Sequence, residues 1–487
     1  MAALGLAGIL LALALLVALA YRGWSVLILA PAAAVICALF SREPALAHFT
    51  QTFMAAGAAF LAQFFPLFLL GALFGKIMED SGAISSIAQA MTKLLGTRRA
   101  ILAVVLAGAV VTYGGVSLFV AFFVLAPMAQ SLFQAAGIPR RLMPAAIVLG
   151  TSTFTLSALP GTPSIPNAIP MPFFGTTPVA APGLGLIASL VMMGFGMWWL
   201  LRQQGKAQAA GEAFGEGAPP SSERLAADQT LRERATASRE FDPAEITHGR
   251  AAAAPPPLLH AALPLVVVVV VNFTMSLLIL PSLDLGFLAE PRWGGTTPSA
   301  VSGVWAVVTA LACAIVVAVA LNRRQLPDVR ATVDAGVNAS VLPVMSVVSL
   351  VGFGAVVAAL PAFAVVRDAV LGLGGGLLVS LAVSTNILAA LTGSASGGLT
   401  IALDALGPTF MARALEQGID PALLHRVAVI GASTLDSLPH NGAVVTLLAV
   451  CGVTHRDGYR DIVVVSILGA LLALAIVIAL GRTFGSF

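Results

Sequence analysis

Val148-Leu149-Gly150-Thr151-Ser152-Thr153-Phe154-Thr155-Leu156-Ser157-Ala158-Leu159-Pro160-Gly161-Thr162-Pro163 reads as an apolar helix that runs into hydroxyls and then into a Pro-Gly break. Later in the chain, Val429-Ile430-Gly431-Ala432-Ser433-Thr434-Leu435-Asp436-Ser437-Leu438-Pro439-His440-Asn441-Gly442 repeats the plan. Shifting the second half back by 281 positions aligns Gly150 with Gly431, Ser152 with Ser433 and Thr153 with Thr434. The match extends to Ala121/Ala402, Leu125/Leu406, Pro127/Pro408, Gly137/Gly418 and Ile138/Ile419, and farther upstream to Ala58/Ala339 and Gly71/Gly352. Biased apolar composition would not align Gly, Pro and Ser-Thr together. The chain is built from two related halves.

Composition sets the solvent. Of 487 residues, 59% are hydrophobic and 10% are charged, with mean hydropathy +0.98. A soluble domain carries about 25% charged residues. The chain therefore reads as a polytopic membrane protein, which excludes a soluble enzyme or a nucleic-acid binder. The net charge of +3 reflects topology. Cys37, Cys313 and Cys451 lie in apolar runs without metal-ligand spacing and read as packing residues. No cofactor or metal is expected.

A spanning helix needs about 20 apolar residues. Ten stretches come near that length: 2–20, 24–40, 53–75, 142–175, 182–201, 262–280, 301–321, 335–358, 423–452 and 462–481, with 142–175 and 423–452 interrupted. Two more, 100–131 and 371–412, break at Tyr113-Gly114-Gly115-Val116-Ser117 and at Gly393-Ser394-Ala395-Ser396-Gly397-Gly398. Short apolar arms around a Gly/Ser tip predict re-entrant hairpins, which are tolerated only inside protein or beside a watery cavity. The predicted fold is all-α: an inverted repeat of 1–201 and 261–487, with about ten crossings and two hairpins. Five crossings in each half place the halves in opposite orientations. Residues 202–260 are polar and rich in Ala, Gly and Pro, and read as a cytoplasmic linker without a core, with a transient helix over Arg232–Arg239. With that linker inside, the outer side keeps only Arg42, Arg292, Arg367, Arg413, Arg426 and Arg482, and both termini fall outside.

Inverted repeats with interrupted helices at matching positions are the sequence signature of a secondary transporter. Pro and Gly unwind the helix at mid-bilayer, and the next half-helix points partly positive amides into the cavity. Such ends suit a carboxylate. The candidate substrate ligands are Ser117, Thr153, Thr155, Thr162, Asn167, Ser394, Ser396, Ser437 and Asn441. No Arg or Lys is expected in the core of a span, which favours a monocarboxylate. Asp404, Asp436 and His440 are ionisable groups expected within the second-half core, where burial is costly and function is the default reading. Asp436 and His440 flank Ser-Leu-Pro and are candidates for sharing a proton; Asp404 reaches either the cavity or a structural neighbour. His425 and His455 are expected in solvated loops. Glu79 and Asp80 with Lys76 read as an interfacial helix end. Sodium coupling and, less favoured, a channel stay open as alternatives.

The strings Asp436-Ser437-Leu438-Pro439-His440-Asn441-Gly442-Ala443-Val444, Gly393–Gly398, Tyr113–Ser117, Pro160–Pro163 and Asn167-Ala168-Ile169-Pro170 resemble the gluconate permease (GntP) family of the ion-transporter superfamily. The resemblance spans nearly the whole chain outside 202–260. It implies proton symport of gluconate or related hydroxy acids, 3-hydroxybutyrate included, across a bacterial inner membrane. It also implies a homodimer in which a carrier (100–175 and 371–452) moves like an elevator against a scaffold (1–78 and 262–358). The 202–260 insert departs from the family pattern.

Overall fold

A computed structural model describes residues 2–22, 24–215, 242, 244–245, 248–372, 374–439 and 441–487. Among these residues every regular element is helical. In the first half, α1 is Ala2–Tyr21, α2 Val26–Phe40, α3 Ala45–Asp80, α4 Ala83–Leu95, α5 Ala100–Tyr113, α6 Leu118–Ala135, α7 Met143–Thr151, α8 Phe154–Ser157, α9 Ile165–Ala168, α10 Pro170–Phe174 and α11 Pro182–Ala209. The second half holds α12 (Leu258–Ser282), α13 (Pro298–Leu321), α14 (Val329–Ala359), α15 (Phe363–Leu371), α16 (Leu377–Thr392), α17 (Ala395–Glu416), α18 (Pro421–Thr434), α19 (Gly442–Val450) and α20 (His455–Phe484).

Seven helices among the described residues are long and apolar enough to cross a membrane, and they coincide with the seven longest uninterrupted stretches expected from sequence. Of the other three expected crossings, 24–40 forms the 15-residue α2, while 142–175 and 423–452 are broken into short helices. The bent pair α4–α5, at 102°, is the one further candidate. The first arm of the first hairpin is short. The 14-residue α5 rises about 21 Å, short of the roughly 30 Å hydrocarbon layer. It packs antiparallel to α6 across the tip at 114–117, and α16 pairs likewise with α17 across Gly393 and Ser394. The second hairpin begins at Leu377, six residues later than the sequence suggested, because Gly374, Gly375 and Gly376 end the preceding segment.

The order of α3, α5, α6, α7 and α11 recurs as α14, α16, α17, α18 and α20, at the 281-residue spacing of the sequence match. At the centre α3 packs along α14. Two-thirds of α14's apolar window is buried, the largest share of any candidate span. The halves interlock through their broken segments. Helices α9 and α10 pack on α17 and α18 of the second half, and α19 packs on α6 of the first.

The polar insert is narrower than 202–260. Helix α11 continues to Ala209 and α12 starts at Leu258. The expected transient helix at Arg232–Arg239 lies outside the described residues.

Candidate functional site

Unwinding a helix inside a membrane frees carbonyls, each costing about 1–3 kcal/mol if left unpaired. Over 156–180 the chain supplies a donor for most of them. Ser164 Oγ donates to Leu156 O (2.7 Å), Tyr113 Oη to Pro160 O (2.7 Å) and Asn272 Nδ2 to Gly161 O (2.8 Å). Asn167 Nδ2 donates to Thr162 O (3.0 Å) and Pro178 O (3.1 Å). Arg426 Nη1 donates to Ser157 O (2.9 Å) and Nη2 to Ala180 O (2.6 Å).

Two sequence expectations fall here. Arg426 and His425 do not sit in an outer loop; both are 0% exposed, within the second turn of α18. The sequence reading gave them to solvent because they are polar, but the Asp420-Pro421 helix start places them inside the broken span. An arginine therefore does occur in a span core, and it is committed to carbonyls. His425 Nδ1 lies 2.6 Å from Thr176 Oγ1 and Nε2 lies 3.1 Å from Asn167 Oδ1. Asn167 turns its amide nitrogen to two carbonyls, so its oxygen accepts from His425 Nε2–H. His455 is exposed, as expected, but it begins α20 and meets Pro439 O at 2.9 Å.

A third correction concerns Lys76. It is 0% exposed, closed over by protein and not a free helix end, and pairs with Asp80 (3.1 Å) and Glu79 (3.2 Å). Thr332 Oγ1 of α14 donates to Asp80 Oδ2 at 2.6 Å. Burial between α3, α14 and the end of the insert is what the amino-acid pattern of α3 alone does not reveal.

A pocket opens where the first hairpin tip meets α3, lined by Gly71, Ala72, Thr112, Ser117, Thr155 and Ser164 among others. Among the described residues no charged side chain lines it. Ser117 is the N-cap residue of the 18-residue α6, but its hydroxyl makes no cap bond or other hydrogen bond. The second hairpin tip is built differently. Ser394 Oγ caps α17 by accepting from Gly397 N–H (3.1 Å), and Asp436 Oδ1 accepts from Ala395 N–H (2.9 Å). Asn441 Nδ2 donates to the same Asp436 oxygen (2.7 Å) and to Gly393 O (2.8 Å), while its Oδ1 caps α19 at Ala443 N–H. A carboxylate of the chain thus sits on the N-terminus of α17. The repeat places Thr155 where Asp436 stands, so the first tip has no such carboxylate of its own.

The candidate ligands separate by what their donors already do. Thr153 Oγ1 donates to Leu149 O (2.7 Å), and Thr155 Oγ1 to Gly150 O and Thr151 O (3.0 Å each). Both N–H groups of Asn167 and of Asn441 are spent on the protein. Ser117, Ser396 and Ser437 are buried, and among the described residues their hydroxyls make no hydrogen bond. Thr162 Oγ1 is buried and also without a partner. Ser117 and Thr155 line the pocket; Thr153, Thr162 and Asn167 lie in the first break; Ser394, Asp436 and Asn441 gather at the second tip, with Ser437 next to Asp436 in the chain. Asp404 lies in α17, with Oδ2 buried and unpartnered. His440 lies outside the described residues.

Long apolar helices, two short hairpins and two broken helices with internally satisfied backbone define a multi-pass membrane transporter. A sequence model described as GntP family permease matches residues 3–176. An uncharacterized transporter of Bacillus subtilis (strain 168), YxjC, is 39% identical over 479 residues, 96% of this chain and 97% of that protein. The chain belongs to the GntP permease family, whose members are carriers and not enzymes. Two solved structures share the fold. The YdaH transporter of Alcanivorax borkumensis, described as having an unusual topology, matches with TM-score 0.51 and 17% identity over 91% of this chain and 89% of its own. MtrF of Neisseria gonorrhoeae, described within a class of antimetabolite efflux pumps, matches with TM-score 0.50 and 16% identity over 89% of this chain and 83% of its own.

Proposed function

We propose that this transporter is a proton-coupled importer of small hydroxy-monocarboxylates such as gluconate or 3-hydroxybutyrate. In this reading it is an inverted repeat that works by an elevator-like motion in the bacterial inner membrane, as a homodimer with the insert cytoplasmic. The observation that carries the reading is the contrast between the two hairpin tips. At the second tip an internal carboxylate, Asp436, occupies the N-terminus of α17. At the first tip the N-terminus of α6 opens on a pocket with a free Ser117 hydroxyl and no carboxylate. A substrate carboxylate would take there the place that Asp436 takes at the other tip, held by helix amides and hydroxyls. With no cation lining the pocket, one carboxylate is what the site can neutralise.

Asp436 accepts two N–H groups at a helix N-terminus, so its Oδ1 is engaged in holding the second tip. Asp404 has no such partner, and an unpaired charge in a hairpin helix is costly. We assign proton binding to Asp404 and the positioning of the second tip to Asp436, which narrows the sequence reading that paired Asp436 with His440. The test is uptake of labelled gluconate and labelled 3-hydroxybutyrate into proteoliposomes, with an inward proton gradient and no sodium. Accumulation of one acid, abolished by an uncoupler, is the expected result. Accumulation that requires sodium at fixed pH would overturn the coupling.

A further inference from the structure

The end of the insert is docked into the body of the transporter. Pro343 in α14 has no N–H, so the carbonyl of Ala339, four residues earlier, loses its helical donor. The backbone N–H of Asp242 takes that place, donating to Ala339 O at 2.8 Å. Asp242 is 2% exposed. Farther along, Arg250 N–H donates to Asp80 Oδ2 (3.2 Å) and Ala252 N–H to Asp80 O (2.7 Å). Gly249 has φ +88°, and a Cβ there would overlap Asp80 Oδ2 and press on Lys76 Cε (3.0 Å). The other end of the insert is also held. Arg141 binds Glu212 (2.8 and 3.0 Å) and Asp461 (2.9 Å), and the guanidinium of Arg140 lies 4.8 Å from the centroid of the Phe214 ring.

These two anchors lie on different parts of the molecule. Arg140 and Arg141 lead directly into α7 and the first break, whereas Asp80 and Ala339 belong to α3 and α14. The docked end lies about two helical turns from the pocket along α3, since Ala72 lines the pocket and Asp80 follows at i+8. The hairpin tip rests on α3 at Gly75, whose position for a Cβ is 3.5 Å from Ser117 N. Sliding that tip by one turn toward the insert brings it to Glu79, beside the ground that the insert occupies at Asp80.

We propose that Asp242 and residues 248–252 form an autoinhibitory latch: docked on Asp80 and Ala339, they bar the first hairpin tip from moving toward the insert side. The proposal rests on the reading that this tip moves along α3 during transport. The groove between α3 and α14 is accordingly a docking surface for the chain's own insert, and it matches its occupant by supplying acceptors, the Asp80 carboxylate and the carbonyls of Asp80 and Ala339, to backbone donors.

The experiment uses the full-length protein in proteoliposomes and the variant Gly249→Ala, which changes only the insert. Release of the latch is read as tryptic cleavage between Arg250 and Ala251, identified by the fragment's new N-terminus. Cleavage should speed up roughly tenfold, the factor for losing one or two hydrogen bonds. The substrate-independent readout is hydrogen exchange at 114–120, which should rise by a similar factor; counterflow of either acid should quicken with KM unchanged. Cleavage that rises while exchange at 114–120 stays at the wild-type level overturns the latch. Asp242→Pro removes the N–H to Ala339 and serves as the second variant. An insert that stays protected in both variants is a permanent part of the fold and also overturns it. If neither acid is carried but exchange at 114–120 rises, the latch stands and the substrate reading fails separately.

Discussion

In the proposed reading Asp436 and Asp404 do different work, and the difference lies in their surroundings. Asp436 accepts from Ala395 and Asn441 through Oδ1 at the second tip; among the described residues Asp404 Oδ2 is met by no donor. Asp404→Asn should therefore abolish accumulation driven by a proton gradient while leaving counterflow intact. Measuring both in one proteoliposome preparation checks this, and undiminished uphill uptake by the variant would reassign the proton. Ser117→Ala should raise KM about tenfold with little change in the maximal exchange rate, as expected for one charge-assisted hydrogen bond; a normal KM would remove Ser117 from the site. Arg426→Gln leaves the carbonyls of Ser157 and Ala180 short of donors. It should destabilise the protein by about 2–5 kcal/mol, read as a lowered thermal midpoint in detergent. The hydroxyl clusters and Asp436 were legible in sequence because such residues stand out in an apolar run. The roles of His425 and Arg426 were not, because the carbonyls they serve lie in the other half of the chain.

At the scale of elements, the two hairpins and two broken helices were legible because Gly, Pro and Ser-Thr interrupt runs too short to cross. Their mutual packing was not. Gly150 abuts the backbone of Val105, and Gly431 abuts Thr385 and Ala382. At both places a residue without a side chain lets the broken helix lie against the first arm of its own hairpin. The buried end of α3 also escaped the sequence, since Lys76, Glu79 and Asp80 resemble any polar helix terminus until α14 and the insert close over them. Pro343→Ala offers a test at this scale. It restores an N–H to α14, which should recapture the Ala339 carbonyl and displace Asp242. The expected outcome is faster tryptic cleavage after Arg250, with α14 itself no less stable. Unchanged protection would show that Asp80 alone holds the insert.

For the molecule as a whole, the repeated order of elements makes the sequence match at 281 residues a statement about architecture and not about composition. The insert falls between the two runs of elements, with one end at the Arg140–Arg141 corner and the other at the α3–α14 centre.

The bonds from Arg426 to Ser157 and Ala180 also set a timetable for biogenesis. The two residues of the Arg426–Ala180 bond are 246 positions apart in sequence. At a synthesis rate of about 5–20 residues per second, roughly 12–50 s separate the emergence of acceptor and donor. During that interval the segment from Ser157 to Ala180 lacks its partners. It cannot settle in lipid, where unpaired backbone groups are not tolerated. The first half must wait beside the insertion machinery, or at the water interface, until the second half arrives. A ribosome stalled before residue 425 should leave 157–180 open to a water-soluble thiol reagent at an introduced cysteine, and a stall beyond the C-terminal helix should close it.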